Sequence, residues 1–318
     1  MNAQELRKAA KEVLPSVDVV IGQRAGFDPL HAEPCFATKP EDVDDFIASP
    51  LCVHNLASYL PSLKGKKVAV VVKGCDSRTV VQFLEEGLIK RENVTVIGVP
   101  CSGIISVKKV LERVSHEPIQ SISFDNETVT VKTNKREEKI PLLEVAPGKC
   151  TTCQYPNPLI FDVLVGQKLE PRGSAEAVYD DIREFETKSL EERKEYWEKT
   201  LGRCIRCYAC RNACPLCVCQ ESCIAETRDP HWMSQKDDPK EKMTFHMIHA
   251  IHLAGRCTEC GECERVCPMD IPLGQLKKKI NMGMKELYDY VPGINPEEKP
   301  PMYVFKVEED KIEEHELS

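Results

Sequence analysis

Cysteine is the residue type with the most chemical potential in this chain. Cys204, Cys207, Cys210 and Cys214 sit in the run RCIRCYACRNACP at steps of three, three and four, followed by Pro215. Cys257, Cys260, Cys263 and Cys267 repeat those steps in RCTECGECERVCP, followed by Pro268. Soft thiolates on a tight turn suit iron, and three close cysteines with a distant fourth suit a four-iron four-sulfur cubane. The expected sharing is crossed: Cys204, Cys207 and Cys210 with Cys267, and Cys257, Cys260 and Cys263 with Cys214. Zinc is the competing occupant, but two zinc sites do not usually require both runs to carry the same fourth cysteine and proline.

Cys75, Cys101, Cys150 and Cys153 form a further possible set, two single cysteines and one CxxC pair. They are read as a third cluster site, against the plainer alternatives of a structural metal or buried thiols. Cys35 and Cys52 compete with them as ligands. Cys217, Cys219 and Cys223 follow the first run closely, either supporting a cofactor or packing beside one. His246, His249 and His252 recur at steps of three, drift round a helix, and read as packing or surface residues. No acid–base constellation stands out beyond the cysteines, so no catalytic residue is assigned. The expected chemistry is electron transfer.

The elements that must position these groups change character along the chain. Asn2–Leu14 reads as a helix with Leu6, Ala9, Ala10 and Val13 on one stripe, and Val17–Ile21 as a short strand. A Gly/Pro-punctuated stretch runs from there to Pro40, which opens a helical turn. Asn55–Leu60 reads as a short helix that Pro61 stops. Lys67–Val72 and Val94–Val99 are β-branched runs of the buried parallel type. Helices are expected over Ser77–Ile89 and Ile104–Val114. Ile119–Phe124 and Thr128–Thr133 read as strands joined at Asp125-Asn126. Alternating strands and helices make an α/β unit, in which chemistry gathers at the carboxyl ends of strands. Cys75 and Cys101 both lie just past such an end.

Leu159–Val165 is a short apolar run closed by Gly166. Ser174–Lys199 is charged and expected helical, with a capping box at Ser189-x-x-Glu192. Thr244–Leu253 and Ile271–Lys279 are helix candidates around the second cysteine run, so clusters set between helices are expected. The division expected is an α/β domain over residues 1–170 and a helical linker over 171–200. A helical ferredoxin domain with two clusters follows over 201–290, and a tail over 291–318, acidic and frayed from Glu308 to Glu316.

The 318 residues, 42% of them hydrophobic, suffice for a real core. Met1–Pro15 lacks the apolar centre of a signal peptide, and no apolar run reaches membrane-spanning length. Seventeen cysteines are therefore expected as reduced thiols in a cytoplasmic protein rather than as disulfides. A net charge of −8 argues against a general nucleic-acid binder.

Lys149-Cys150-x-x-Cys153 with Phe161-Asp162-Val163-x-x-Gly166 resembles the cluster-binding stretch of the beta subunit family of coenzyme F-420-reducing hydrogenases and formate dehydrogenases. Gly74-Cys75-Asp76-x-Arg78 and Gly98-Val99-Pro100-Cys101 resemble two other cysteine stretches of that family. The resemblance covers Val17–Gly166 and implies that Cys75, Cys101, Cys150 and Cys153 ligate one four-iron four-sulfur cluster. Cys204–Leu276 resembles the alpha-helical ferredoxin domains of heterodisulfide reductase and succinate dehydrogenase subunits. Two departures stand out: the ferredoxin part comes last, and no Gly-rich loop is present for the flavin adenine dinucleotide (FAD) that family members bind. The expectation is an electron-transfer subunit of an anaerobic oxidoreductase complex. Its partners would be protein subunits such as a molybdenum or tungsten dehydrogenase, a hydrogenase, or a heterodisulfide-reductase-like module. The alternative is a flavin-bearing subunit that oxidises reduced deazaflavin or nicotinamide.

Overall fold

The computed structural model describes residues 2–125, 127–219, 223–227, 234 and 236–305. Its first half is a mixed α/β assembly and its second half is helical. Helix α1 (Ala3–Val13) is capped by Asn2, whose side chain accepts from the Gln4 N–H, and buries Leu6, Ala9 and Ala10. Strands β1 (Val19–Ala25) and β2 (Ala32–Ala37) form an antiparallel pair. The short helix α2 (Pro40–Val43) follows. Strand β3 (Val68–Val72), helix α3 (Gly74–Glu85), strand β4 (Val94–Gly98) and helix α4 (Val107–Arg113) continue the chain.

Strands β5 (Ile119–Asp125), β6 (Thr128–Thr133) and β7 (Glu137–Pro141) then make a separate antiparallel sheet. After helix α5 (Gly148–Thr151), strand β8 (Val163–Leu164) returns to the first sheet, whose order is β2-β1-β3-β4-β8. Its β1, β3, β4 and β8 run parallel, with Val72 opposite Gly98. The helical half comprises α6 (Asp180–Glu186), α7 (Leu190–Gly202), α8 (Ala209–Asn212), α9 (Ile224–Thr227), α10 (Pro239–Ile251), α11 (Glu262–Arg265) and α12 (Leu273–Tyr288). The capping box at Ser189 and Glu192 opens α7.

Four expectations need correction. Ile119–Phe124 does not extend the parallel sheet; its half-exposed pattern suits a solvated antiparallel sheet, and β8 takes the place beside β4. The stretch before Pro40 contains β2, whose Pro34 and Cys35 sit on an edge strand, where a missing N–H is tolerated. Pro61 lies within a 3-10 turn over Leu56–Leu63 rather than ending a helix at Leu60. Helix α3 begins at Gly74, three residues earlier than Ser77, because Asp76 accepts from the Lys73 N–H at its start. The Asp125-Asn126 turn, part of the segment between the two cysteine runs, and the acidic tail fall on Asn126, residues 220–222, 228–233 and 235, and residues 306–318, outside the described residues.

The two halves share one core. Leu216 and Leu253 of the helical half pack with Ile21, Val70, Val80, Phe83 and Val96. Helix α3 is the element between them: Asp76, Ser77, Arg78, Thr79, Gln82 and Glu85 are all buried. Burying so many polar groups is tolerable when most of their atoms find partners, and here Arg78 Nε, Gln82 Oε1 and Glu85 Oε1 are the atoms of this helix left without one. Thr79 shares a hydrogen bond of 3.0 Å with Thr258, Arg78 donates to the Pro292 carbonyl at 2.8 Å, and Arg256 grips Glu86 at 2.8 and 2.5 Å. Gly74 and Gly293 allow the close approach: a Cβ would stand 1.8 Å from the Tyr155 carbonyl and 2.3 Å from that of Arg78.

Tyr290 donates to Glu85 at 2.6 Å. Burial raises the Glu85 carboxyl to about 7, and the Tyr290 bond works against that. Between about 4.5 and 7 the folded chain keeps a proton that the unfolded chain has lost, so stability falls as pH rises through this window. Glu85→Gln removes that dependence. Its urea midpoint, measured anaerobically at pH 5 and pH 8, should give a stability loss smaller than wild type by about 2 kcal/mol, a value reduced for partial solvent access.

Candidate iron–sulfur sites

The parallel pairing of β3 and β4 brings Cys75, in the first turn of α3, and Cys101, just past β4, to the same sheet edge. Adjacent strands lie about 4.8 Å apart, close enough for two tips to serve one site. Cys150, on α5, and Cys153 come to the same edge. The segment after them is tied down where the Cys101 N–H donates to the Pro156 carbonyl at 2.8 Å and the Arg172 N–H to the Cys153 carbonyl at 2.9 Å. These four cysteines line a cavity of about 600 Å³, and Cys214, Cys257, Cys260 and Cys263 line it too. Cys204, Cys207, Cys210 and Cys267 surround a second, smaller cavity with Phe245 and His246. Each cysteine run thus contributes three residues to one cavity and its last residue to the other.

The two runs share a backbone shape. Arg206 and Tyr208 in the first, and Glu259 and Gly261 in the second, have φ between 54° and 75°. These left-handed residues turn the chain around a centre and aim N–H groups inward. The Arg206 N–H donates to Cys204 Sγ at 3.3 Å, and the Gly103 N–H donates to Cys101 Sγ at 3.4 Å at the sheet edge. Such donors stabilise anionic sulfur.

Burial alone is hostile to these sulfurs. It pushes the Cys101 thiol up to about 11 and the thiols of Cys210 and Cys257 to about 12. Thiols held this way have no obvious use unless a metal takes their protons, because the thiolate is the ligand. Cys214 behaves differently: a hydrogen bond from Cys217 holds it well below the usual thiol value, against burial, with help from His249. The ligand atoms of Cys214, Cys217 and His249 lie within 4.8 Å of one another.

The remaining expected groups separate clearly. Cys35 packs in the core beneath α1, and Cys52 donates to the Ile47 carbonyl at 3.6 Å; neither lines a cysteine cavity. Cys219 is exposed, while Cys223 is buried beside Cys204 and Cys210. The histidines do not converge: His252 is exposed, His246 and His249 are buried, and both ring nitrogens of His246 lack a protein partner. His246 lines the smaller cavity beside Cys204, Cys207, Cys210 and Cys267.

Lys73 and Lys277 were given no role from the sequence, and Lys149 only a place in the Cys150 motif. Lys73 is buried and pairs with Asp76 at 2.6 Å. Lys149 donates to the Cys260 carbonyl, and Lys277 is buried on α12. The available signal was Lys277 itself, which falls on the stripe of Leu273, Asn281 and Met284 that α12 buries. Unpartnered polar atoms, buried thiols and buried ammonium groups together fit iron–sulfur clusters well.

Residues 200–271 match the 4Fe-4S dicluster domain family. The chain is 26% identical over 348 residues to the F420-dependent formate dehydrogenase subunit beta of Methanocaldococcus jannaschii, covering 90% of each chain. It is 26% identical over 353 residues to the F420-dependent formate dehydrogenase 1 subunit beta of Methanococcus maripaludis, covering 89% of this chain and 88% of that one. A chain of the F420-reducing NiFe hydrogenase complex from Methanosarcina barkeri aligns with a TM-score of 0.37 and 18% identity, over 48% of this chain and 58% of that chain. The chain is thus similar to formate dehydrogenase beta subunits along most of its length, and it binds iron–sulfur clusters through its helical half.

Iron and sulfide analysis of protein purified anaerobically tests the sheet-edge cysteines. Wild type should hold about twelve irons, and replacing Cys150 and Cys153 together with serine should leave about eight. An unchanged iron count would remove these residues from the ligand set.

Proposed function

We propose that this chain is the iron–sulfur electron-transfer subunit of a cytoplasmic anaerobic oxidoreductase complex and holds three four-iron four-sulfur clusters. Cys75, Cys101, Cys150 and Cys153 would hold one. Cys257, Cys260, Cys263 and Cys214 would hold the next, and Cys204, Cys207, Cys210 and Cys267 the third. The observation that carries this reading is the shared cavity, which the sheet-edge quartet and the second quartet line together. Iron–sulfur clusters bound there would take up and release one electron at a time. The protein's part is to supply thiolates, exclude water and set the surrounding charge.

The chain lies in the order needed for a relay. The second quartet borders the sheet-edge quartet, and its Cys263 packs in the same apolar cluster as Cys204 and Cys210 of the last. Cys207 of that last quartet is exposed, and so is its neighbour Ile205. A relay needs a donor and an acceptor. By similarity to formate dehydrogenase beta subunits, a formate-oxidising molybdenum or tungsten subunit is the favoured partner, with a hydrogenase or a heterodisulfide-reductase-like module as alternatives. Among the described residues no helix is long and apolar enough to cross a membrane.

A second reading is favoured by one observation. The cavity of about 600 Å³ extends past the cysteines to Tyr155, Tyr179 and Arg172, a volume within the usual range for cofactor sites. Arg78 stands 4.7 Å over the Tyr155 ring. A flat anionic cofactor such as FAD would suit aromatic and cationic walls, and the chain would then oxidise reduced deazaflavin or nicotinamide itself. Anaerobic reductive titration separates the two. The relay alone should take up about three electrons per chain, and a bound flavin should raise this to about five. Uptake of no electrons would defeat both and point to zinc. A purified native complex that contains no second redox subunit would defeat the relay reading alone.

A further inference from the structure

We propose that Lys149 and Lys277, one in each gap between successive cysteine quartets, are positioning residues that set the reduction potentials of the clusters on either side. This rests on the three-cluster reading.

The geometry is specific. Lys149 leaves α5 beside Cys150 and crosses the cavity to donate to the carbonyl of Cys260 in the second quartet. Its stem lies against Gly261, where a Cβ would stand 3.0 Å from Lys149 Cδ and 3.5 Å from Nζ. The bare glycine therefore leaves the channel that the lysine occupies. Lys277 enters from the other side. It is 3% exposed on the buried stripe of α12 and lines the same cavity as Cys214, Cys257 and Cys263. Cys263 in turn packs in one apolar cluster with Cys204 and Cys210 of the last quartet.

Neither lysine has a carboxylate ion-pair partner among the described residues, in contrast to Lys73 with Asp76 and Lys278 with Asp181. Lys277 is buried and Lys149 half-buried, and an ammonium removed from water without a counter-ion is among the least stable arrangements in a protein. Lys149 stands next to Cys150 and reaches the Cys260 carbonyl, and Lys277 lines the cavity with Cys214, Cys257 and Cys263. The cysteine quartets are the groups placed to act as their counter-ions.

A fixed positive charge favours the more negative state of a neighbouring redox centre. Each added electron is stabilised by the lysine beside it, which raises the potential. Placed between two centres, one ammonium also offsets the repulsion between electrons held on both, an effect strengthened in a dry interior. Two such lysines would let three adjacent clusters carry charge together.

Reduction monitored by electron paramagnetic resonance in the full-length, anaerobically purified chain tests this, with signals assigned through the Cys150→Ser/Cys153→Ser variant. Lys149→Met should lower the reduced-to-oxidised ratio at least tenfold at fixed ambient potential, about 59 mV for one electron, for the sheet-edge and second clusters only. Lys277→Met should do the same for the second and last clusters only. Lys149→Arg and Lys277→Arg should stay near wild type, as should Lys279→Met, whose side chain is half-exposed and paired with Glu186. Methionine variants that keep all their iron with unshifted potentials would overturn the proposal. If the methionine variants fail to load iron, arginine variants that load it at wild-type potentials would support the charge, and arginine variants that also fail would overturn it. A wild-type chain without about twelve irons would instead refute the three-cluster reading.

Discussion

Helix α3 lies in a seam where polar groups are buried on both sides, and the structure depends on their being matched across it. Thr79 meets Thr258, Arg78 meets the Pro292 carbonyl, Glu85 meets Tyr290, and Glu86 meets Arg256. An unmatched group of this kind costs about 1–3 kcal/mol, so the helical half can sit on the α/β half in only one register. That register decides which cysteines face one another. Were the helical half displaced by one turn, Cys260 would leave Lys149 and the common cavity would not form.

Sulfur extends the same constraint into the cavity. Buried thiols resist ionisation, as the raised values at Cys101, Cys210 and Cys257 show. Metal binding reverses this by taking the place of the proton, so folding of the seam and loading of iron are coupled. The left-handed residues of the two runs, the inward N–H groups and the bare nitrogens of His246 form a polar lining that has no counterpart in an ordinary apolar core. The arrangement is suited to holding charge that moves.

Much of this was legible in the sequence because cysteine spacing and β-branched runs are local signals. The repeated steps of Cys204–Cys214 and Cys257–Cys267 survive intact, and so do β3 and β4, whose paired ends carry Cys75 and Cys101. What escaped was set by distant partners. Strand β2 contains Pro34 and reads as a loop until β1 is beside it. Strand β5 alternates as a strand should, but alternation does not say which sheet it joins. Helix α3 has a polar face that looks solvent-exposed until the helical half covers it. Lys149 and Lys277 look like ordinary surface lysines, and only their positions against Gly261 and on the buried stripe of α12 distinguish them.

Three cysteine quartets from distant parts of the chain would form one continuous array of clusters. Anomalous scattering at the iron absorption edge, from crystals grown and kept without oxygen, would locate them. Three compact iron centres are expected: one within Cys75, Cys101, Cys150 and Cys153, and one in each of the two crossed quartets. Iron absent from the sheet edge, or Cys214 and Cys267 each ligating the centre of its own run, would contradict that array.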